Sequence, residues 1–563
     1  MGESTASGPG EGAPPPEARD AADAAAASPE KMLVTTSGSE NDEKSSPQPQ
    51  DTADDAEDVP ESHRLNHLQL VTLSIALATN IFVLALDESI IATAIPRITD
   101  QFQSLSDVGW YGSGYLMTMA CFQLTFGKLY KHLPSKWVLL SALTIFELGS
   151  AVCGASPSSN ALIVGRVIAG IGASGIVSGV LIIISQVVPM RQRAVYTSSV
   201  ASIYGLAAAC GPLVGGALTD SYLTWRWCFY INLPLGGAVA AIIFFTYNPP
   251  PEKTERLDSV RELVAALDPL GLVLFTGAII CLVLALQTSG IDGWNSARPI
   301  ALIVVFGVLL LAFSGVQMWL KEAGTLPPRI ARMRQVIFSS LYAMTIDCCY
   351  YLVAYFLPIW FQAVKGTSAQ TSGIQMLPLI ISAVLASIVA GYLVSKTGHF
   401  SPFVIISAIL AAIGGGLFTT LNPQSETGPW FGYQLLVGIG VGLGMQQGAV
   451  VVQNGLDSGD IPTAISVVTL FQALGSSVMV SVGQSVFAQR VYDQLHSIDP
   501  TLTRAAIINS GATEVIRSAP PGQTEAFVEA VNVALTQCFY VAAASASLCC
   551  FFSLGLGFKK LQQ

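Results

Sequence analysis

The sequence predicts an all-α integral membrane protein of about fourteen transmembrane helices, arranged as two six-helix bundles plus two extra spans. Three observations lead there. Hydrophobic residues make up 52% of the 563 residues and charged residues only 11%, where a soluble domain carries about 25% charged residues. Apolar stretches of bilayer-spanning length recur throughout the chain beyond residue 62. Two similar connections, GKLYKHLPSK at 127–136 and GYLVSKTGHF at 391–400, each begin with a glycine, carry basic residues and close the second span of a six-span group.

In chain order, residues 1–62 are rich in Ala, Pro, Ser, Glu and Asp. The first 60 hold 14 acids against Arg19, Lys31 and Lys44, so the net charge of −10 belongs to this segment. Such a composition buries too little apolar surface to offset chain entropy, and a disordered cytoplasmic tail is expected. No basic region leads into a short apolar core and cleavage site, so no removable signal peptide is expected. Apolar runs near 68–95, 108–127, 137–154, 161–185, 196–218 and 226–247 make a first bundle over 63–247. Runs near 268–287 and 299–320 fall in 248–335, with cytoplasmic linkers. A second bundle over 336–558 takes the runs near 336–357, 371–395, 402–421, 431–455, 463–487 and 533–556, with an extracytoplasmic loop at 490–530. Residues 559–563 form a short cytoplasmic end.

Lysine and arginine set the orientation. Lys128, Lys131, Lys136, Arg191, Arg193, Lys253, Arg256, Arg261, Lys321, Arg329, Arg332, Arg334, Lys396, Lys559 and Lys560 fall in connections on the N-terminal side. By the positive-inside rule both termini are then cytoplasmic, and all eight tryptophans fall at expected span ends. The ten cysteines lie in or beside apolar spans and read as small hydrophobes, while the five histidines are scattered. Neither a disulfide framework nor a metal site is expected, and no basic footprint for nucleic acid is present.

The fifth span carries the densest signature. From Tyr196 to Leu218 no side chain is charged, and Gly205, Ala209, Gly211 and Gly215 give small residues four apart that admit a close neighbour. Pro212 removes a backbone hydrogen bond and bends the span. Charges inside spans are few, and each costs several kcal/mol unless it meets a partner or water. Asp87 precedes Pro96 by nine residues, which places it about 13 Å in from the outer end. Glu88 points about 100° away around the helix, towards another span. Arg166 lies about one and a half turns into the fourth span, near that depth. Asp347 sits mid-way along the ninth, the counterpart of the first in the repeat. Glu147, in the third, reads as a buried hydrogen-bonded carboxyl as readily as a coupling site. Tyr115, Gln123, Tyr351, Gln446, Gln447, Phe471 and Gln472, with Gln453 and Asn454, are candidates for an apolar cavity with a few polar anchors, and those of the twelfth span equally for bonding between helices.

LALDESIIATAIPRI in the first span, GKLYKHLPSK after the second, IVGRVIAGIGASGI in the fourth, GLAAACGPLVGG in the fifth, WRWCFYINLPLGG entering the sixth and YFLPIWFQAVKGTSAQTSGIQMLP beyond the ninth together resemble the major facilitator superfamily. More closely, they resemble its fourteen-span drug:proton antiporter branch, in the form of fungal toxin and multidrug efflux pumps. The loop after the second span departs from the family pattern at Lys131 and Pro134, where the family has Asp and Gly. The resemblance implies the major facilitator fold and export of hydrophobic small molecules by proton antiport, driven by the proton gradient without a cofactor. It implies proton coupling at Asp87 and Arg166, a role that the repeat extends to Asp347. It implies an antiporter gate at Gly205, Gly211, Pro212, Gly215 and Gly216, and conformational loops at Gly127, Lys131, Lys136, Gly391 and Lys396. A monomer in the lipid bilayer of the plasma membrane is expected, binding a lipophilic solute and protons. A plasma- or vacuolar-membrane porter for basic amino acids or siderophores, and a non-transporting membrane sensor, remain open as alternatives. No nucleophile, metal cluster or phosphate loop speaks for an enzyme.

Overall fold

The structure is a computed structural model that describes residues 67–102, 108–222, 224–249, 259–502, 515–517 and 519–557. The expected tail at 1–62 and the end at 559–563 lie outside the described residues. Every regular element among the described residues is helical. The first bundle comprises α1 (His67–Phe102), α2 (Val108–His132), α3 (Ser135–Ala155), α4 (Ser159–Val187), α5 (Arg193–Asp220), α6 (Trp227–Tyr230) and α7 (Asn232–Thr246). After α8 (Val260–Ala266) come the two extra long helices, α9 (Pro269–Asp292) and α10 (Ala297–Leu320), followed by α11 (Pro328–Ala331). The second bundle holds α12 (Arg334–Ala363), α13 (Ala369–Gln375), α14 (Leu377–Thr397), α15 (Ser401–Phe418), α16 (Thr427–Gly444), α17 (Gln447–Gly455), α18 (Ile461–Ile498) and α19 (Thr524–Gly555).

Twelve helices among the described residues are long and apolar enough to cross a membrane, against the fourteen spans expected. The other two expected spans, the second and fifth, are the 25-residue α2 and the 28-residue α5, which stand outside that set. Two expected spans are broken. The sixth changes helix at Ile231, and the twelfth at Met445–Gln446, where α16 gives way to α17. The loop expected over 490–530 is shorter: α18 continues to Ile498 and α19 begins at Thr524, so its ends are helical. Mean hydropathy marks where a helix is immersed, whereas a helix continues beyond the hydrocarbon wherever its backbone bonds remain satisfied.

Small residues bring the helices together. In the glycine-rich α4, Gly172 lies against the backbone of Ala142 and Phe146 in α3, with no room for a Cβ. In a bilayer, helix association depends on such close approach, because the surrounding lipid is as apolar as leucine. Within the first bundle α1 packs on α5 and α7, and α4 on α2 and α3; within the second, α12 packs on α18 and α19, and α16 on α14 and α15. The halves meet through α5 against α14 and α2 against α18, and α9 touches both α2 and α18. A polar clasp holds the added pair. Asp268 caps α9 by accepting from the Gly271 amide at 2.8 Å, and its other oxygen accepts from Gln317 Nε2 at 2.6 Å and Thr325 Oγ1 at 3.0 Å. Lys128 of α2 donates to the carbonyls of Ala266 and Ala323 at 3.1 and 2.6 Å, tying the pair to the first bundle.

Candidate transport cavity and buried charge pair

Asp87 is fully buried on α1. Its Oδ2 accepts from Arg166 Nη1 of α4 at 2.6 Å, and its Oδ1 accepts from Asn232 Nδ2 of α7 at 2.9 Å. Arg166, 1% exposed, also donates Nε to the Tyr111 carbonyl at 2.8 Å and lies 4.4 Å from the centroid of the Tyr115 ring. Asn232 donates further to Ser150 Oγ of α3 at 3.1 Å. The break at Ile231 puts Asn232 at the head of α7, within reach of both partners. Two charges withdrawn from water are tolerable only when geometry and added hydrogen bonds offset their desolvation, and here five helices supply that surround.

The cavity lies beside this pair, with a volume of ≈ 110 Å³. Glu88 of α1, Tyr204 of α5, Asp347 and Tyr351 of α12, Gln446 at the α16–α17 break and Gln472 of α18 give it polar groups, among apolar side chains such as Met119, Val177 and Leu181. The Tyr204 hydroxyl donates to Glu88 Oε2 at 2.6 Å and lies 3.1 Å from the Tyr351 hydroxyl, which links α1, α5 and α12 across the two halves. Asp347 is 3% exposed, and its Oδ1 has no hydrogen-bond partner, nor has Oε1 of Gln446.

The structure separates the expected residues into groups. Asp87 and Arg166 form one buried pair; Asp347 is in the cavity instead. Tyr351, Gln446 and Gln472 line the cavity. Tyr115 does not: its ring supports Arg166. Gln123 does not either, since its Nε2 donates to Ser178 and to Thr469, each at 2.7 Å, joining α2 and α4 to α18. Gln447 is buried in α17, and Phe471 packs against an apolar cluster drawn from both bundles. Of the fifth-span residues, Gly205 faces Val384 of α14, Gly211 lies on Ser89 and Ile90 of α1, and Gly215 is buried, with Pro212 and Gly216 in the same helix. Glu147, read as a buried hydrogen-bonded carboxyl as readily as a coupling site, is half-buried over Gly236 of α7 with neither oxygen partnered.

Contacts between halves gather at the end bearing the basic connections. Gly127 of α2 abuts Ser466 of α18, and Gly391 of α14 abuts Ala194 and Ser198 of α5, so the repeated glycines make matching close approaches. Gln453 of α17 is the central latch: its carbonyl accepts from Arg193 Nη1 at 2.6 Å, its Oε1 from Thr197 at 3.3 Å, and its Nε2 donates to the Leu181 carbonyl at 3.0 Å. Lys136 donates to Asn248 at 3.3 Å within the first half, Lys131 is half-buried and Lys396 is exposed. Glu88, expected to face another span, lines the cavity. Asn232, inside the motif entering the sixth span, is a contact that the motif does not single out, and its signal is a polar side chain within an apolar run; Arg193 stands in the sequence only among the basic connections.

A family model described as Major Facilitator Superfamily matches residues 77–480. The chain is 47% identical over 521 residues to "Efflux pump roqT" of Penicillium rubens, covering 92% of this chain and 96% of that protein. It is 47% identical over 476 residues to "Efflux pump aunC" of Aspergillus niger (84% and 90% covered) and 42% identical over 508 residues to "MFS-type efflux pump MFS1" of Trichophyton rubrum (90% and 95%). Among solved structures, the proton:xylose symporter XylE aligns with a TM-score of 0.57 at 12% identity, over 88% of this chain and 98% of that one. The human organic anion transporter MFSD10 aligns at 0.53 and 15%, over 84% and 99%; both likenesses concern the fold alone. By its sequence and by its helical architecture, this chain belongs to the major facilitator superfamily.

Proposed function

We propose that this protein is an efflux pump that exports lipophilic small molecules, such as toxins and secondary metabolites, in exchange for protons. The names of its relatives support efflux. The observation that carries the proton half is the sealed Asp87–Arg166 pair, set one residue along α1 from the cavity carboxyl of Glu88. With the basic connections in the cytoplasm, the latch around Gln453 closes the inner end. A proton arriving at Asp87 converts its carboxylate to a carboxylic acid and removes the charge that holds Arg166. The guanidinium is then left with the Tyr111 carbonyl and the Tyr115 ring, so α1, α4 and α7 are no longer held in their present arrangement. Rocking of the two bundles about the cavity then opens the other end and returns the proton to the cytoplasm. The protein acts as a monomer in the plasma membrane with both termini cytoplasmic.

Asp87→Asn is expected to reduce gradient-driven export from proteoliposomes to background while solute binding by the purified protein persists. Full uphill export by correctly inserted Asp87→Asn would remove Asp87 from coupling.

A further inference from the structure

Glu147 of α3 does not line the cavity; it lies in the seam where α3 packs on α7. Its side chain covers Gly236, and both carboxyl oxygens are buried without a hydrogen-bond partner. Asn232 stands one turn before Gly236 on α7, and Ser150 one turn after Glu147 on α3, so the same two faces carry all four residues. These faces are already bonded: Asn232 Nδ2 donates to Ser150 Oγ at 3.1 Å and to Asp87 Oδ1 at 2.9 Å, while Asn232 Oδ1 is buried with no donor. An ionised carboxyl buried without a partner is costly, and it cannot donate; the acid form avoids the charge and brings an O–H to a seam whose acceptors are Asn232 Oδ1 and Ser150 Oγ. Around this part of α3 the charged groups are Asp87 of α1, Arg166 of α4 and, past the end of α3, Arg226, which donates to the carbonyls of Gly154 and Ser156. Glu88 of α1 is turned to the cavity, Tyr230 of α6 lies against Gly154, Arg166 also bonds the Tyr111 carbonyl of α2, and α7 has no ionisable side chain.

We propose that Glu147 is a second proton carrier: in the arrangement described it is a carboxylic acid, and it hands its proton to Asp87 through the Ser150 hydroxyl and one water in the seam. Ser150 Oγ and Asp87 Oδ1 both bond the same nitrogen, so a single bridging water spans the gap between them. The O–H bond at Glu147 breaks and one at Asp87 forms, while Ser150 and the water each accept one proton and pass one on. Before the step Asp87 is the anion beside Arg166; after it Glu147 is. The three groups hold one proton and no net charge either way, so the transfer never leaves the guanidinium as an uncompensated charge in the packed wedge. The proposal rests on the proton-exchange reading and adds where the Asp87 proton comes from.

The first test uses the full-length protein in lipid nanodiscs and needs no solute. Its infrared difference spectrum at neutral pH is expected to hold a protonated-carboxyl band that is absent from Glu147→Gln. In Asp87→Asn the same band should weaken by at least about half at the same pH, because Arg166 without its anion favours a charged Glu147. No band assignable to Glu147, or one of equal strength in Asp87→Asn, overturns the proposal. Should Glu147→Gln not fold, displacement of the band in Glu147→Asp makes the assignment. The second test is gradient-driven export of rhodamine 6G from proteoliposomes. Glu147→Gln is expected to lower it at least about tenfold at neutral outer pH, with recovery as the outer pH falls and Asp87 takes its proton directly from water. Glu147→Asp, which keeps the acid, should retain most of the rate. Glutamine fills the same space and donates in the seam, so a packing role alone predicts no change. Export by Glu147→Gln with the rate and pH profile of the unsubstituted protein overturns the proposal and leaves efflux standing. The expected infrared changes with no gradient-driven movement of rhodamine 6G would support the shared proton and count against its use in export.

Discussion

Asp87 and Glu88 are chain neighbours with opposite surroundings. Adjacent residues on a helix point about 100° apart, so one carboxyl enters the packed wedge between α1, α4 and α7 while the next faces the cavity. Asn232 is the residue that makes the wedge complete, because it donates to the Asp87 oxygen that Arg166 does not take. Replacing it with alanine leaves a buried carboxyl oxygen unpartnered, which costs about 1–3 kcal/mol. Asn232→Ala is therefore expected to lower the unfolding temperature of the detergent-solubilised protein and to slow export, with Asn232→Asp failing to restore it because a second carboxyl beside Asp87 lacks the donor. Recovery by Asn232→Asp, in melting and transport assays run together, would contradict this role.

Among the elements, α2, α5, α14 and α18 form the surface on which the halves meet, with glycines at its close approaches. A Cβ at Gly127 would come within 2.6 Å of the Ser466 Cβ, and one at Gly391 within 2.7 Å of the Ser198 Cβ. Gly127→Val and Gly391→Val are expected to push the basic-connection end apart. Pairs of spin labels at that end should then report longer distances and greater accessibility; unchanged distances in both would show that these contacts absorb the added bulk without holding the end closed. In α5, Gly211 already lies within contact of Ser89 and the Ile90 amide. Gly211→Val, Gly215→Val and Pro212→Ala are expected to reduce turnover much more than solute affinity, which binding and efflux measured on the same purified variants would check.

For the whole molecule, α9 touches α2 of one half and α18 of the other, and the clasp around Asp268 and Lys128 holds it there. Losing the buried Asp268 carboxyl leaves Gln317, Thr325 and the Gly271 amide without their acceptor, so Asp268→Ala should cost about 2–4 kcal/mol, within the range for breaking a buried polar network. Thermal unfolding is expected to shift downward, and export to slow because the added pair bridges both moving halves; a slower melt transition alone, with full export, would make the pair a stabiliser only.

Composition and the recurrence of apolar runs by themselves determined that this is a helical membrane protein of many spans, because burial in lipid demands long apolar segments with internally satisfied backbones. They also marked Asp87, Arg166 and Asp347, since a charge in an apolar run stands out whatever its neighbours are. Only the tertiary structure decided that the first two are partners and the third is not. It moved Tyr115 and Gln123 out of the cavity and brought Glu88, Asn232 and the Gln453 latch into use. A sequence fixes spacing along each helix, but helix rotation and the breaks at Ile231 and Met445 depend on contacts between segments over a hundred residues apart, and it is rotation that decides whether a polar side chain meets a partner, a cavity or lipid.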